Sequence, residues 1–118
     1  LSGSPQADHK VEALAEAAAD ANRLVEALRR EVARIVVELH SDPYRGEPMG
    51  DKPPRVLKAC RKIRFDELGW RGRPRYRFVY RDEPGDGAVA TSVVLATGRR
   101  ERMIAYAEAA HDRLNSAL

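Results

Sequence analysis

Residues 55–81 carry ten Lys and Arg against two acids, Asp66 and Glu67, whereas residues 1–54 hold seven Lys and Arg against ten Asp and Glu. The formal net charge is only +3, so the distribution says more than the sum. Clustered cations of this kind suit a polyanionic partner, because they raise the local concentration of phosphate groups; a plain solvated face is the ordinary alternative. Lys62-Ile63-Arg64-Phe65 and Arg75-Tyr76-Arg77-Phe78 each alternate charged and non-charged residues, and Arg99 and Arg100 add cations further on. Other chemistries find less support. Cys60 is the single cysteine, which excludes an internal disulfide and a cysteine-rich zinc site. It lies in a strand-like run and reads as packing rather than as a nucleophile. His9, His40 and His111 are scattered without metal-ligand spacing, so no metal and no cofactor is expected.

The elements that must hold these cations follow from periodicity. At 118 residues and 13.2 kDa the chain fits one domain, residues 1–118. Its 43% hydrophobic and 33% charged residues describe a globular chain. The longest apolar run, Val93-Val94-Leu95-Ala96, is far too short to cross a membrane, and the opening Leu1-Ser2-Gly3-Ser4-Pro5 lacks a basic stretch followed by an apolar one. No membrane is therefore expected, and the cytoplasm is the expected location.

Residues 1–42 read as helical. Ser4-Pro5 resembles an N-cap followed by Pro at the first helical position. Val11, Leu14, Ala18, Ala21, Val25, Leu28, Val32, Ile35 and Leu39 recur at steps of three and four. This run is either one helix of about 35 residues, about 50 Å long at 1.5 Å per residue, or two helices broken near Ala19-Asp20-Ala21-Asn22. Two are the more compact solution. Ser41-Asp42-Pro43 ends the run, because Pro cannot continue a helix, and a Pro/Gly-rich connector extends from Gly46 to Pro54.

Residues 55–97 read as an antiparallel sheet. Ala59 to Phe65 forms the first strand, Arg75 to Arg81 the second and Ala88 to Thr97 the third. Asp66 to Pro74 is a loop, and Asp82 to Gly87 a turn. Val93 to Ala96 has the continuous apolar character of a strand buried on both faces. Gly98-Arg99-Arg100 breaks the strand. Residues 101–117 then form a closing helix, with Met103, Tyr106, Ala107, Ala110 and Leu114 on one stripe. The fold class is α+β: an N-terminal helical hairpin packed on a small antiparallel sheet, with a C-terminal helix.

In this order, three pieces resemble the RelE/ParE toxins, and within them the ribosome-dependent endoribonucleases of the RelE type. They are Lys62-Ile63-Arg64-Phe65, Tyr76-Arg77-Phe78-Val79-Tyr80, and Gly98-Arg99-Arg100-Glu101-Arg102 followed by Tyr106-Ala107-Glu108-Ala109-Ala110. The helical region ending in Ser41-Asp42-Pro43 fits as well, so the resemblance covers nearly the whole chain. Two departures stand out. Family members open with a short strand, which here is missing or reduced to Leu1-Ser2-Gly3, and the loop Asp66 to Pro74 is longer than the RelE loop.

The resemblance implies cleavage of messenger RNA at the ribosomal A site by the RNA's own 2′-hydroxyl, without metal. Such a reaction needs a base near the 2′-oxygen, charge stabilisation on the phosphate and help at the leaving oxygen. By position, Lys62 would be the base, Arg77 would hold the scissile phosphate, and Arg100 would stabilise developing charge. Tyr106 would stack on a base, since aromatic faces bind unstacked single-stranded bases. Arg64 would complete the phosphate clamp, with Arg75 and Arg99 as further substrate contacts. A cognate antitoxin protein is the implied partner. The competing expectations are a ParE-like gyrase inhibitor, whose relatives generally lack these cations, and a basic module that binds without cutting.

Overall fold

The computed structural model describes residues 10–49, 60–84 and 89–116. Eight elements follow one another: β1 (Lys10–Ala13), α1 (Ala15–Asn22), α2 (Glu26–Ser41), β2 (Glu47–Pro48), β3 (Cys60–Phe65), β4 (Tyr76–Pro84), β5 (Val89–Arg99) and α3 (Arg100–Ser116). The strands form one five-stranded sheet in the order β1-β5-β4-β3-β2. All neighbours are antiparallel except β1 and β5, which run parallel. The sheet is therefore mixed, not purely antiparallel as the sequence reading has it.

Alternation along β3 and β4 sends their residues to two different cores. Ile63, Phe65, Phe78 and Tyr80 join Val94 and the α1–α2 residues Ala17, Leu28, Val32, Ile35 and Leu39 on one face. Cys60, Val79, Leu95 and Ala96 join Met103, Ala107 and Ala110 of α3 on the other. Val94 and Leu95 thus belong to opposite faces, which explains the unbroken apolar run in β5. Phe78 and Tyr80 are fully buried, each contributing about 1.5–3 kcal/mol of transfer free energy.

The N-terminal region departs from the helical reading in two ways. Val11 lies in β1, paired along β5 in the register Val11↔Ser92, and Leu14 caps α1 while its N–H donates to the Val94 carbonyl at 3.0 Å. An opening strand is therefore present, at Lys10–Ala13 rather than within Leu1-Ser2-Gly3. The physical reason is the free edge of β5: its unpaired backbone groups bind a four-residue strand that a three-and-four spacing of apolar residues cannot reveal. The helical run then divides at residues 23–25, just beyond the expected Ala19–Asn22 break, and Val25 caps α2 with an exposed side chain. The expected N-cap at Ser4-Pro5 and the turn residues Gly85 to Gly87 lie outside the described residues.

The helix α2 ends as expected at Asp42-Pro43. The Asp42 carboxylate accepts the Tyr44 N–H at 3.0 Å. The buried Tyr80 hydroxyl donates to the Pro43 carbonyl at 2.7 Å and accepts the Gly46 N–H at 2.9 Å. A Cβ at Gly46 would lie 2.9 Å from the Tyr80 ring, so the connector approaches the sheet as closely as only glycine permits. This link delivers Glu47 and Pro48 to the edge of β3, where they form β2, a strand absent from the sequence reading. Among the described residues no helix is long and apolar enough to cross a membrane.

Candidate functional site

Three of the expected site residues emerge on one face of the sheet, the face that α3 only partly covers. Arg64 pairs directly with Arg77, and Arg77 with Gly98; one step along, Lys62 pairs with Val79, and Val79 with Ala96. Directly opposed residues on neighbouring strands project to the same side with Cβ atoms about 5 Å apart. Cys60 and Val79 on that side pack against α3, so Lys62, Arg64 and Arg77 share its face. The helix begins at Arg100, beside Gly98, and a Cβ at Gly98 would lie 3.0 Å from the Met103 methyl group. At its far end His111 and Asn115 meet Cys60 and Arg81. The α3 helix therefore crosses the β5–β4 side and leaves the corner at Lys62, Arg64 and Arg77 open.

Backbone contacts fix this corner. The Arg100 N–H donates to the Arg75 carbonyl at 2.9 Å, which ties the start of α3 to the start of β4. The Arg77 Nη1 donates to the carbonyls of Pro74 at 3.0 Å and Tyr76 at 2.8 Å. That holds the guanidinium in place while its Nη2 and Nε hydrogens have no hydrogen-bond partner among the described residues. Burial, followed by the charges of Arg64 and Arg100, lowers the Arg77 pKa; the guanidinium remains a cation across the physiological range. The same repulsion places Arg100 within electrostatic reach of Arg77. Among the described residues Lys62, Arg77 and Arg100 form no ion pair, while Arg64 faces the Glu47 carboxylate at 3.6 Å. Three cations without an ion pair among the described residues, offset only in part by Glu47 and Glu101 near Arg77, leave this corner suited to an anion.

Glu47 was missed by sequence reasoning. It stands opposite Lys62 in the β2–β3 register and is the carboxylate nearest the cations. Nothing in the local sequence marks it, since it sits in a connector whose position depends on the distant Tyr80 hydroxyl.

The remaining expected residues lie elsewhere. Arg75 is held inside its own loop: Nε and Nη2 both donate to the Asp66 carboxylate at 2.9 Å, and the guanidinium lies 3.5 Å from the Trp70 ring centroid. Arg99 pairs with Tyr76, whose ring packs on the opposite face, and sits 3.8 Å from Glu101. Tyr106 is not on the buried stripe, which consists of Met103, Ala107 and Ala110. Its ring is 49% exposed and lines a groove of about 250 Å³ with Glu16, Asp20, Leu95, Ala109 and Arg113. No described contact joins it to the cations.

The cysteine behaves as packing. Cys60 is 2% exposed, and its Sγ lies 3.6 Å from His111 Nδ1. Burial pushes the thiol up to about 11, with Arg81 opposing and Asp82 and Glu83 adding to the rise. Burial and then Arg81 lower the His111 pKa. Neither effect favours the thiolate–imidazolium pair a nucleophile requires. No cluster of His, Cys, Asp or Glu suited to a metal occurs among the described residues.

No family pattern and no curated protein matches the chain in sequence. Solved structures do match. The chain is similar to the free Escherichia coli toxin RelE carrying two arginine-to-alanine substitutions, with a TM-score of 0.61 at 20% identity over 89% of this chain and 97% of that one. It is also similar to isolated E. coli RelE, with a TM-score of 0.55 at 23% identity over 88% and 97%. A RelBE toxin–antitoxin complex from Mycobacterium tuberculosis matches with a TM-score of 0.57 at 23% identity over 79% of this chain and 99% of the other. The chain has the fold of the RelE toxins.

Proposed function

We propose that this RelE-fold chain is a toxin that cuts messenger RNA on the ribosome without metal. The observation that carries the reading is the open corner of Lys62, Arg64, Arg77 and Arg100, in which three of the four cations have no carboxylate partner among the described residues. In the proposed reaction the RNA 2′-oxygen attacks the adjacent phosphorus, and the bond from phosphorus to the 5′-oxygen breaks. The products are a 2′,3′-cyclic phosphate and a 5′-hydroxyl, the leaving 5′-oxygen taking its proton from water.

Arg77 holds the non-bridging oxygens of the phosphate, a task that suits a planar guanidinium already oriented by the Pro74 and Tyr76 carbonyls. Arg64 completes the grip. Arg100 stabilises the negative charge that grows in the transition state; as a poor proton donor it acts electrostatically. Lys62 takes the 2′-proton, standing on the same strand face as Arg64 and one step along from Arg77. Arg99, exposed on the strand end, is an outer phosphate contact, whereas Arg75 supports the loop. Tyr106 stacks only on RNA that extends to the α1–α3 groove.

The partner chemistry follows the same reasoning. Three of the solved structures that the chain resembles are complexes with an antitoxin, and a cognate antitoxin of this chain is the corresponding proposal. The cytoplasm, where ribosomes work, is the proposed location.

The test is to supply the purified protein to translating ribosomes and map the message ends, with a supercoiling assay of DNA gyrase in parallel. Cuts in the ribosomal A site support the nuclease. Intact message with inhibited gyrase replaces it by the gyrase reading, and neither effect leaves a binding module.

A further inference from the structure

The loop between β3 and β4 is built as a rigid platform. The Arg75 guanidinium grips Asp66 through a two-pronged ion pair, and the Arg75 N–H donates to the same carboxylate at 3.0 Å, closing the loop at its base. Gly69 and Gly72, with φ of 88° and 111°, supply the left-handed turns inside it. The Trp70 N–H donates to the Glu67 carbonyl at 3.0 Å and its Nε1 to the Arg73 carbonyl at 3.3 Å. With the Arg75 guanidinium flat against one face, the indole is fixed in orientation and its polar edge is satisfied. Yet the residue remains 40% exposed, and the neighbouring Leu68 is 85% exposed.

Both signs of charge surround this ring: Asp66 and Glu67 lie at the base of the loop, bonded to Arg75, and arginines flank the indole in sequence. Arg71 and Arg73 are exposed and make no ion pair among the described residues. Trp70 also lines a groove of about 230 Å³ that runs from Arg64 and Pro74 to α2, with Arg34 and Arg45 set among the acids Glu31, Asp66 and Glu67. Arg64 stands directly opposite Arg77, and Pro74 accepts the Arg77 guanidinium. One side chain is thus shared by the cation corner and the groove, and the loop end by both.

From this juxtaposition we infer that Trp70 is a stacking platform for a base of single-stranded RNA, with Arg71 and Arg73 holding the flanking phosphates. A flat, immobilised ring bordered by unpaired arginines is the combination that binds single strands without reading sequence. The ligand identity rests on the nuclease reading; the platform itself does not. The strand whose phosphate sits at Arg77 passes Arg64 and lays a base on Trp70, so the loop positions substrate and takes no part in the bond-making.

Trp70 is the only tryptophan of the chain, so its fluorescence reports on this position alone. The full chain carrying Arg77→Ala and Arg100→Ala, expected not to cut, is titrated with a short oligoadenylate, an abasic oligomer of equal length and polyglutamate. Saturable quenching by oligoadenylate, with little by the abasic oligomer, is the expected result. Binding of labelled oligoadenylate falls about tenfold or more in Trp70→Ala and is largely kept in Trp70→Phe. Equal affinity in Trp70→Ala and the parent, without quenching, overturns the platform, as does quenching by polyglutamate alone, which makes the loop a protein-docking site. The two readings fail separately: stacking without message cutting by the wild type removes the nuclease and keeps the platform, whereas cutting without stacking does the reverse.

Discussion

The two faces of the sheet are made from the same strands and treat their residues in opposite ways. Toward α1 and α2, Ile63, Phe65, Phe78 and Tyr80 form a closed apolar core in which Phe78 is fully buried. Toward α3, the alternate residues begin with Cys60 and Val79 under the helix and end with Lys62, Arg64 and Arg77 beyond its cover. A single residue step therefore separates a position that holds the fold from one free to bind an anion. The fold tolerates three cations without an ion pair among the described residues in one corner because the opposite face and the α3 end of the same face supply the apolar burial.

Substitutions can break that comparison. The largest effect is expected from Arg77→Ala with Arg100→Ala: message cutting falls by at least about a hundredfold, in keeping with removal of transition-state charge stabilisation, while circular dichroism and the unfolding midpoint stay near wild type. On the other face Phe78→Ala should do the converse, costing about 3–5 kcal/mol in denaturant unfolding and altering activity only through the folded fraction.

Smaller effects sharpen the picture. Asp66→Asn replaces the carboxylate that anchors the loop and should cost about 1.5–3 kcal/mol, as expected for a charge-assisted bond. The Arg75 guanidinium beside Asp66 holds that carboxyl at about 2 against an ordinary 3.8. Because the folded value is the lower one, the stabilisation is complete above the ordinary value and disappears as pH falls from about 4 to about 2. Unfolding midpoints across that window should drop in the wild type and change less in Asp66→Asn. The smallest effect belongs to Glu47→Gln. Its exposed pair with Arg64 is worth no more than about 1 kcal/mol, so cutting should change within about fivefold. A loss as deep as that of the double arginine variant would instead make Glu47, not Lys62, the group that takes the 2′-proton.

Legibility in the sequence followed the range of the forces involved. The strands β3, β4 and β5 and the helix α3 were readable because alternation and three-and-four spacing are local. Their register then carried Lys62, Arg64 and Arg77 to one face. Lys10–Ala13 was misread because its conformation is set by the backbone edge of β5, about 80 residues away along the chain. Glu47–Pro48 was invisible because the Tyr80 hydroxyl and Gly46 place it. Arg75 and Arg99 resembled their neighbours in composition, yet Asp66 captures the one and strand alternation turns the other away. Tyr106 satisfied the helical stripe by spacing but stands at its exposed border, where Ala107 takes the buried position.

The central claim is that one phosphodiester is gripped and cleaved at the corner of Lys62, Arg64, Arg77 and Arg100. The most direct measurement is the chemistry of the 3′ ends recovered from message on ribosomes treated with wild type or with the Arg77→Ala, Arg100→Ala double variant. The account predicts 2′,3′-cyclic phosphate ends with the wild type and their absence with the folded double variant. Cyclic phosphate ends of equal abundance from both proteins, or 3′-hydroxyl ends from the wild type, would contradict it.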